Sequence, residues 1–339
     1  GNPDLKWETT TQTNIGMDLG FFNNSLNLNF DYYWKDTKDM LTIPPTISAS
    51  GENAAVWMNT GDMHNEGFEL TIDYHSPSYN DFSWGASLNL SHYENKVVKL
   101  NNMVTTMGSN IRLMEGQPMG VYYGYVVDGI FQNEEEVANH ATQQGKGVGR
   151  LKYRDIDGNG IVDEADQCII GDPNPDLSAG LNIDLAYKGF TLSAFFTGEF
   201  GFDIYNATKA QLDFMSYGGT STNRGVSVLD AWTPTNTDAT VPALTVTDNN
   251  NETRMSTYFI EDGSYGKLKY IKLSYDFPKK WAKAIYASQI QLYGQVENVC
   301  TFTKYSGLDP ELPLGTYGAR EDRAPYPIAR TFSFGVNLS

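Results

Sequence analysis

The feature that most limits what this chain can become is a strict two-residue alternation that recurs in pairs of segments. Leu181, Ile183, Leu185 and Tyr187 fall on one parity, with Asn182, Asp184 and Ala186 on the other; after Lys188-Gly189, Phe190, Leu192, Ala194 and Phe196 resume the apolar parity. That period places successive side chains on opposite faces of a strand, so the two segments read as a tight hairpin with one apolar and one polar face. The same pattern pairs Thr9–Phe21 with Ser25–Met40, Glu66–Tyr74 with Phe82–Tyr93, and Lys267–Phe277 with Gln289–Phe302. A last alternating run ends in Phe332, Phe334, Val336 and Leu338. Roughly nine strands result, at the spacing of barrel strands.

The connections alternate short and long. The long ones cover about 41–61, 95–176, 201–263 and 305–327, with short helices expected near Glu134–Ala141 and Ala207–Tyr217. A soluble sandwich carries loops of mixed length at both ends and a charged outer face. Here the polar parity is Asn, Ser, Thr, Gly and Asp, and the apolar parity carries almost no charge in mid-strand. A hydrated lumen on one side and lipid on the other explain both, since Lys or Arg facing the bilayer midplane costs about 2–4 kcal/mol. The expected fold is all-β: a transmembrane antiparallel β-barrel with long extracellular loops. About nine strands alone would leave two open edges in lipid, so the chain is expected to be part of a larger barrel. Tyr32, Tyr74, Trp84 and Tyr275 are placed in the aromatic girdles, and Pro278-Lys279-Lys280-Trp281 is an interfacial anchor.

Charge excludes some partners. Forty-one acidic against 24 basic residues leave a formal charge of −17, which argues against nucleic acid and against electrostatic docking on anionic lipid. Cys168 and Cys300 make neither a disulfide framework nor a zinc site and are expected to be free thiols. No run of 18 apolar residues is present, and the polar, turn-like Gly1-Asn2-Pro3-Asp4-Leu5 has no signal-peptide pattern.

The sharpest chemical signal is an acidic loop. Asp155, Asp157, Asn159, the carbonyl of Ile161, Asp163 and Asp166 stand at positions 1, 3, 5, 7, 9 and 12 of a calcium loop, with Gly160 at the turn. Position 12 is Asp rather than the bidentate Glu, and no EF-hand helix pair surrounds it. The spacing predicts a structural calcium that pins an outer loop; the plainer reading is an Asp/Asn/Gly turn. Trp57, Tyr122, Tyr123, Tyr125, Tyr217, Tyr258 and Tyr317, all in long excursions, are candidate substrate-stacking rings, against packing of the loops on themselves. Catalysis has little support. The four His (64, 75, 92, 140) lack metal spacing, no Gly-x-Ser-x-Gly elbow occurs, and Gly145–Gly149 reads as a turn.

An ordered set of short stretches then resembles one family. They are Asn2-Pro3-Asp4-Leu5-Lys6-Trp7-Glu8, Asn65-Glu66-Gly67-Phe68-Glu69-Leu70, Asp155-x-Asp157-Gly158-Asn159-Gly160, Ile170-Gly171-Asp172-Pro173-Asn174-Pro175-Asp176, Tyr187-Lys188-Gly189-Phe190, Thr301–Glu311 and Ala329-Arg330-Thr331-Phe332-Ser333-Phe334-Gly335. In this order they resemble the C-terminal third of SusC/RagA-type TonB-dependent transporters of the Bacteroidetes outer membrane.

The resemblance implies that residues 1–339 are the C-terminal portion of a 22-stranded barrel, a size whose lumen is plugged. It also implies TonB energisation, a SusD-like surface lipoprotein as lid, import of glycans or peptides, and a dimer of transporter–lipoprotein pairs. In the family the plug and the TonB-contacting segment lie upstream, so this stretch by itself is expected not to couple to TonB. The family usually continues past the position of Ser339 to a terminal aromatic, and it tends to have Leu or an aromatic where Cys300 stands. A fragment is the expectation. The rival reading is a soluble calcium-dependent β adhesin or glycan-binding module, which should carry Lys or Glu on the face that is uncharged here.

Overall fold

The computed structural model describes residues 4–42, 57–77, 81–100, 105–106, 110–218, 222–315 and 318–339. Nine long strands form a single antiparallel sheet in which sequence neighbours are also spatial neighbours. They are β1 (Thr9–Phe21), β2 (Leu26–Thr42), β3 (Met58–His75), β4 (Phe82–Leu100), β5 (Leu177–Tyr187), β6 (Phe190–Phe200), β7 (Tyr265–Asp276), β8 (Ile290–Thr303) and β9 (Thr331–Leu338). The up-and-down order follows from short connections, which let a strand pair only with the one it has just left.

Register sorts the faces as the alternation predicts. One transverse row runs Leu19, Leu28, Ile72, Leu88, Leu181, Phe196, Leu268, Cys300 across eight strands. The row beside it on the other face runs Asp18, Asn29, Thr71, Asn89, Gly180, Thr197. The apolar face has a sharp upper limit. Ile15, Tyr32 and Phe68 form its last apolar row over the first three strands, and beyond it on the same parity Trp34 pairs with Glu66, Glu66 with Glu94, and Asp36 with His64. From Phe82 to Leu90 the apolar parity of β4 covers nine residues, which matches the 9–11 residues that a tilted strand needs to cross hydrocarbon.

The strands continue past that limit. β4 has 19 residues, a span of about 60 Å at ~3.4 Å per residue, well beyond the bilayer core. This shortens two of the expected loops: β2 runs to Thr42 and β3 starts at Met58 rather than after 61, and β4 runs to Leu100 rather than ending before 95. Mixed charged and polar residues in these extensions conceal them, because a wet strand has no apolar side to alternate. Tyr32 therefore lies within β2 rather than near its end, at the outer apolar limit, and its hydroxyl donates to Glu66 at 3.1 Å.

At the opposite end the aromatic rings cluster. Tyr74 and Trp84 lie 4.6 Å apart, Phe190 and Tyr275 4.5 Å, and Tyr275–Phe277–Trp281 continue the chain at 5.0 and 5.4 Å. The Pro278-Lys279-Lys280-Trp281 turn forms a short helix, Lys279–Ala284. The β5–β6 turn has positive φ at both Lys188 (47°) and Gly189 (89°), the mirror-image turn whose twist suits a hairpin. A Cβ at position 189 would lie 2.9 Å from the Asp276 carbonyl oxygen, so the neighbouring strand also demands glycine there.

The two longest excursions fold on each other above the sheet. Tyr125, Ile130, Leu151 and Tyr153 from the first pack with Phe214, Trp232 and Phe259 from the second in one buried cluster. Each large apolar side chain buried there contributes about 1.5–3 kcal/mol. Short helices form at Glu134–Asn139 and Thr208–Asp213, inside the expected stretches, and Asn133 caps the first by accepting from the Glu136 amide. The strands at 168–171, 121–124, 111–113 and 105–106 make a small sheet of their own.

Candidate functional site

The loops at the outer end are bolted to the polar face of the sheet by named polar contacts. Lys267 sits on the inward parity of β7, paired with Thr197 and Thr301, and is only 4% exposed. Its ammonium donates to both Asp309 carboxylate oxygens at 2.7 and 2.8 Å and to Glu311 at 2.7 Å, while Lys269, the extra residue of a β-bulge, donates to Glu311 at 2.6 and 2.8 Å. Arg320 reaches Glu199 on β6 at 2.7 Å, and its guanidinium lies 4.4 Å from the Phe202 ring. The segment after β8 is thus held inward, against the polar wall.

Three recognisable motifs turn out to be staples. In Asp172-Pro173-Asn174, the Asn174 amide donates to the Met119 carbonyl at 3.1 Å and accepts from Asn95 at 3.0 Å, while Asn95 accepts from the Met119 amide at 2.6 Å. In Leu5-Lys6-Trp7, the Lys6 backbone exchanges two bonds with the Asn59 side chain at 2.8 and 2.9 Å. Asp309 and Glu311 supply the lysine clamp. Lys267, Glu199 and Arg320 were not singled out from sequence: each lies in an unremarkable polar position, and only tertiary structure brings together residues 42 to 121 apart.

The expected stacking rings fare differently from one another. Tyr122 is fully buried, and its hydroxyl bonds the Arg320 backbone. Tyr125 is buried under Arg254, whose guanidinium lies 4.9 Å from its ring. Tyr123 is half-buried beneath Arg112 at 4.0 Å, and Tyr258 donates to Asp213 at 2.7 Å with Lys209 4.4 Å from its ring. Burial and the Asp213 carboxylate push the Tyr258 phenol far above its ordinary range. These four rings hold the loops together. Trp57 and Tyr217 are exposed, and Tyr317 lies outside the described residues.

The acidic loop gathers part of its expected set. One carboxylate oxygen from each of Asp155, Asp157 and Asp166 lies within 4.8 Å of the others. Asp166 is buried and accepts from the Ile156, Asp157 and Asp163 amides, which fixes its direction. Asp155 accepts from the Gly158 and Gly160 amides at 2.8 Å. Slight burial opposes its charge, but those amides outweigh it and hold its carboxyl below the ordinary value. Asp163 turns away to cap the turn at Glu164–Asp166, accepting from the Ala165 amide, and Asn159 accepts from the Ile161 amide. Three converging carboxylates fit a hard, oxygen-seeking cation.

A cleft of about 670 Å³ opens between the second long excursion and the segment after β8, with Asn206, Lys209, Asp213, Glu261 and Asp322 among its lining residues. Burial acts to raise the Glu261 carboxyl, but two bonds from Ser306 and the nearby Lys209 outweigh it and hold it low.

The architecture, an apolar band backing a polar wall with loops folded over its outer end, has a counterpart among known families. The family described as TonB dependent receptor-like, beta-barrel, matches residues 1–299. The chain belongs to this family. TonB-dependent receptor P3 of Formosa agariphila is 34% identical over 99% of the chain, which corresponds to 34% of that receptor. TonB-dependent receptor SusC of Bacteroides thetaiotaomicron is 28% identical over 99% of the chain and 32% of its own length. The chain therefore spans about a third of the curated relatives it matches. The RagAB peptide transporter structure superposes with a TM-score of 0.83 at 25% identity, covering all of this chain and 36% of that one. As a TonB-dependent receptor barrel segment of SusC/RagA type, the chain is an outer-membrane protein: its apolar band meets lipid and its polar face lines the lumen. The relatives are receptors and transporters rather than enzymes.

Proposed function

We propose that this chain supplies wall and outer loops to a TonB-dependent importer that takes up glycans or peptides with a SusD-like surface lipoprotein. The observation that carries the reading is the charge-free apolar band, nine residues tall on β4, backed by a polar wall against which the loops are clamped. A soluble adhesin would have to leave that band in water, which disfavours the rival reading. The likeness to SusC and to the RagAB peptide transporter supports the lipoprotein partner and the two substrate classes. Coupling to TonB would run through a plug and a contacting segment upstream of the barrel. In the acidic loop, Asp155, Asp157 and Asp166 would hold a calcium ion whose role is to stiffen the loop that follows Tyr153.

The test is extraction of the native protein from its source membranes in detergent, with mass spectrometry of what co-purifies. Recovery within a much longer polypeptide together with a surface lipoprotein is the expected result. Recovery without detergent and without a partner would overturn the reading.

A further inference from the structure

The cleft between the second long excursion and the segment after β8 has a chemistry that its surroundings do not require. Its floor holds three carboxylates, Asp213, Glu261 and Asp322, against one ammonium, Lys209, among the described lining residues. Asp213 and Asp322 are nearly buried. They are fixed in place: Asp213 accepts from Ser227 and Tyr258, Asp322 from Tyr305 and the Ala324 amide, and Glu261 from Ser306 and Asn206. Neutral hydroxyl and amide donors orient Asp213 and Asp322 without cancelling them, while Lys209 pairs with Glu261 at 3.4 Å, so the floor keeps a net negative field in a partly desolvated place.

The rim is different. Val226, from the second long excursion, is 79% exposed and Leu308, from the segment after β8, 66%, and Leu212 and Val241 add further apolar lining. Val226 is not a loose tip. It begins a short 3-10 turn held by Ser227 on Asp213 at 2.5 Å and by the Gly225 amide on the Leu212 carbonyl at 2.9 Å. A volume of about 670 Å³ falls within the range of small-ligand sites, which combine apolar walls with a few convergent polar groups.

Among the described residues no aromatic ring lines the cleft. Those residues offer no platform for stacking on sugar faces, while aliphatic walls beside an anionic floor suit a long alkyl stem that ends in a cation. We propose that this cleft binds a basic side chain of an oligopeptide, with the aliphatic stem between Val226 and Leu308 and the ammonium or guanidinium over Asp213 and Asp322, beside the Lys209–Glu261 pair. The proposal rests on the importer reading and narrows it to peptides at this site.

The experiment uses the full-length protein with its co-purifying lipoprotein, in detergent, and a fluorescent lysine-containing oligopeptide, the same peptide with acetylated lysines, and a neutral oligosaccharide. Acetylation removes the charge and keeps the stem. The lysine peptide is expected to bind, acetylation to weaken it about ten-fold or more, and Val226→Lys and Leu308→Lys each to weaken it comparably. The rim variants leave the floor bonds untouched, and an unchanged yield of the complex shows that they fold. Equal binding of the two peptides, or binding indifferent to both rim variants, overturns the assignment. So does oligosaccharide binding that the rim variants abolish. Each of these outcomes leaves the importer reading standing, since co-purification of the lipoprotein tests that separately.

Discussion

The hydroxyl of Tyr122 donates to the carbonyl of Arg320 at 2.6 Å and accepts from the amide of the same residue at 2.9 Å, across 198 residues of sequence. The Arg320 carbonyl also accepts from the Tyr205 amide at 3.0 Å, so Tyr122 adds a second bond to that carbonyl and satisfies the amide in a buried place. Burial pushes the phenol well above its ordinary range, so it stays neutral and keeps its proton for the carbonyl.

Tyr122→Phe keeps the ring and removes both bonds. The carbonyl keeps its bond from the Tyr205 amide, and leaving the buried Arg320 amide unpaired costs about 1–3 kcal/mol. The loss is expected to be local: hydrogen exchange should accelerate around residues 318–322, with the strands of the sheet unchanged. Protection equal to wild type at 318–322 would show that the bonds contribute nothing.

Lys267→Met strands Asp309 and leaves Glu311 with Lys269 alone. Removing one partner of a buried ion pair costs about 3–5 kcal/mol, and the segment after β8 should become the first site of proteolytic cleavage in intact membranes. Lys269→Met, at a more exposed position, should cost less. Equal sensitivity of the two variants would refute the central place given to Lys267.

The same clamp responds to acid. Burial works to raise the Glu311 carboxyl, but the Lys267 and Lys269 ammonium groups outweigh it and lower the folded value below the ordinary 4.5. Because folding lowers this pKa, its contribution is complete at neutral pH and is lost as pH falls through the lowered value. Exchange of the amides following Tyr305 should be slow at pH 7 and rise once the pH drops below about 4.5, after correction for intrinsic rates. In Glu311→Gln that rise should be missing.

The lipid-facing band can be tested by depth. Leu88→Arg, in the middle of the band, should cost about 2–4 kcal/mol, whereas Trp84→Arg, nearer the short-turn end, should cost about 0–1 kcal/mol for its charge. Asn89→Arg, one residue from Leu88 but on the lumen face, should be tolerated. Unfolding of the reconstituted barrel in urea measures all three, and equal costs at 88 and 89 would contradict the assigned faces.

Calcium in the acidic loop has an optical test. Tyr153 is buried two residues before Asp155 in the chain, so terbium bound in the loop should luminesce on tyrosine excitation and calcium should quench it by displacement. Asp155→Asn with Asp157→Asn should abolish the signal. A signal that survives both substitutions places the ion elsewhere.

Strand number, order and faces were legible in the sequence, for a local reason. A strand between lipid and water records both environments at a period of two, and short turns leave no choice of partner, so Leu181 through Phe196 carry their own register. The charged extensions of β3 before Glu66 and of β4 beyond Tyr93 were not legible, because both of their faces are wet. Nor were the fates of the loop aromatics. Tyr122 and Tyr217 are equivalent as letters, yet one is buried against Arg320 and the other exposed, and that difference comes from contacts up to 198 residues apart. The Asp155 spacing was visible as a motif, but the turning of Asp163 to its own helix cap was not. The sequence by itself determined the wall of this protein, since solvent on each side of a strand acts residue by residue. The mouth, with its lysine clamp and its anionic cleft, was decided only when distant loops packed together, because ion pairs and desolvation depend on which groups meet in space.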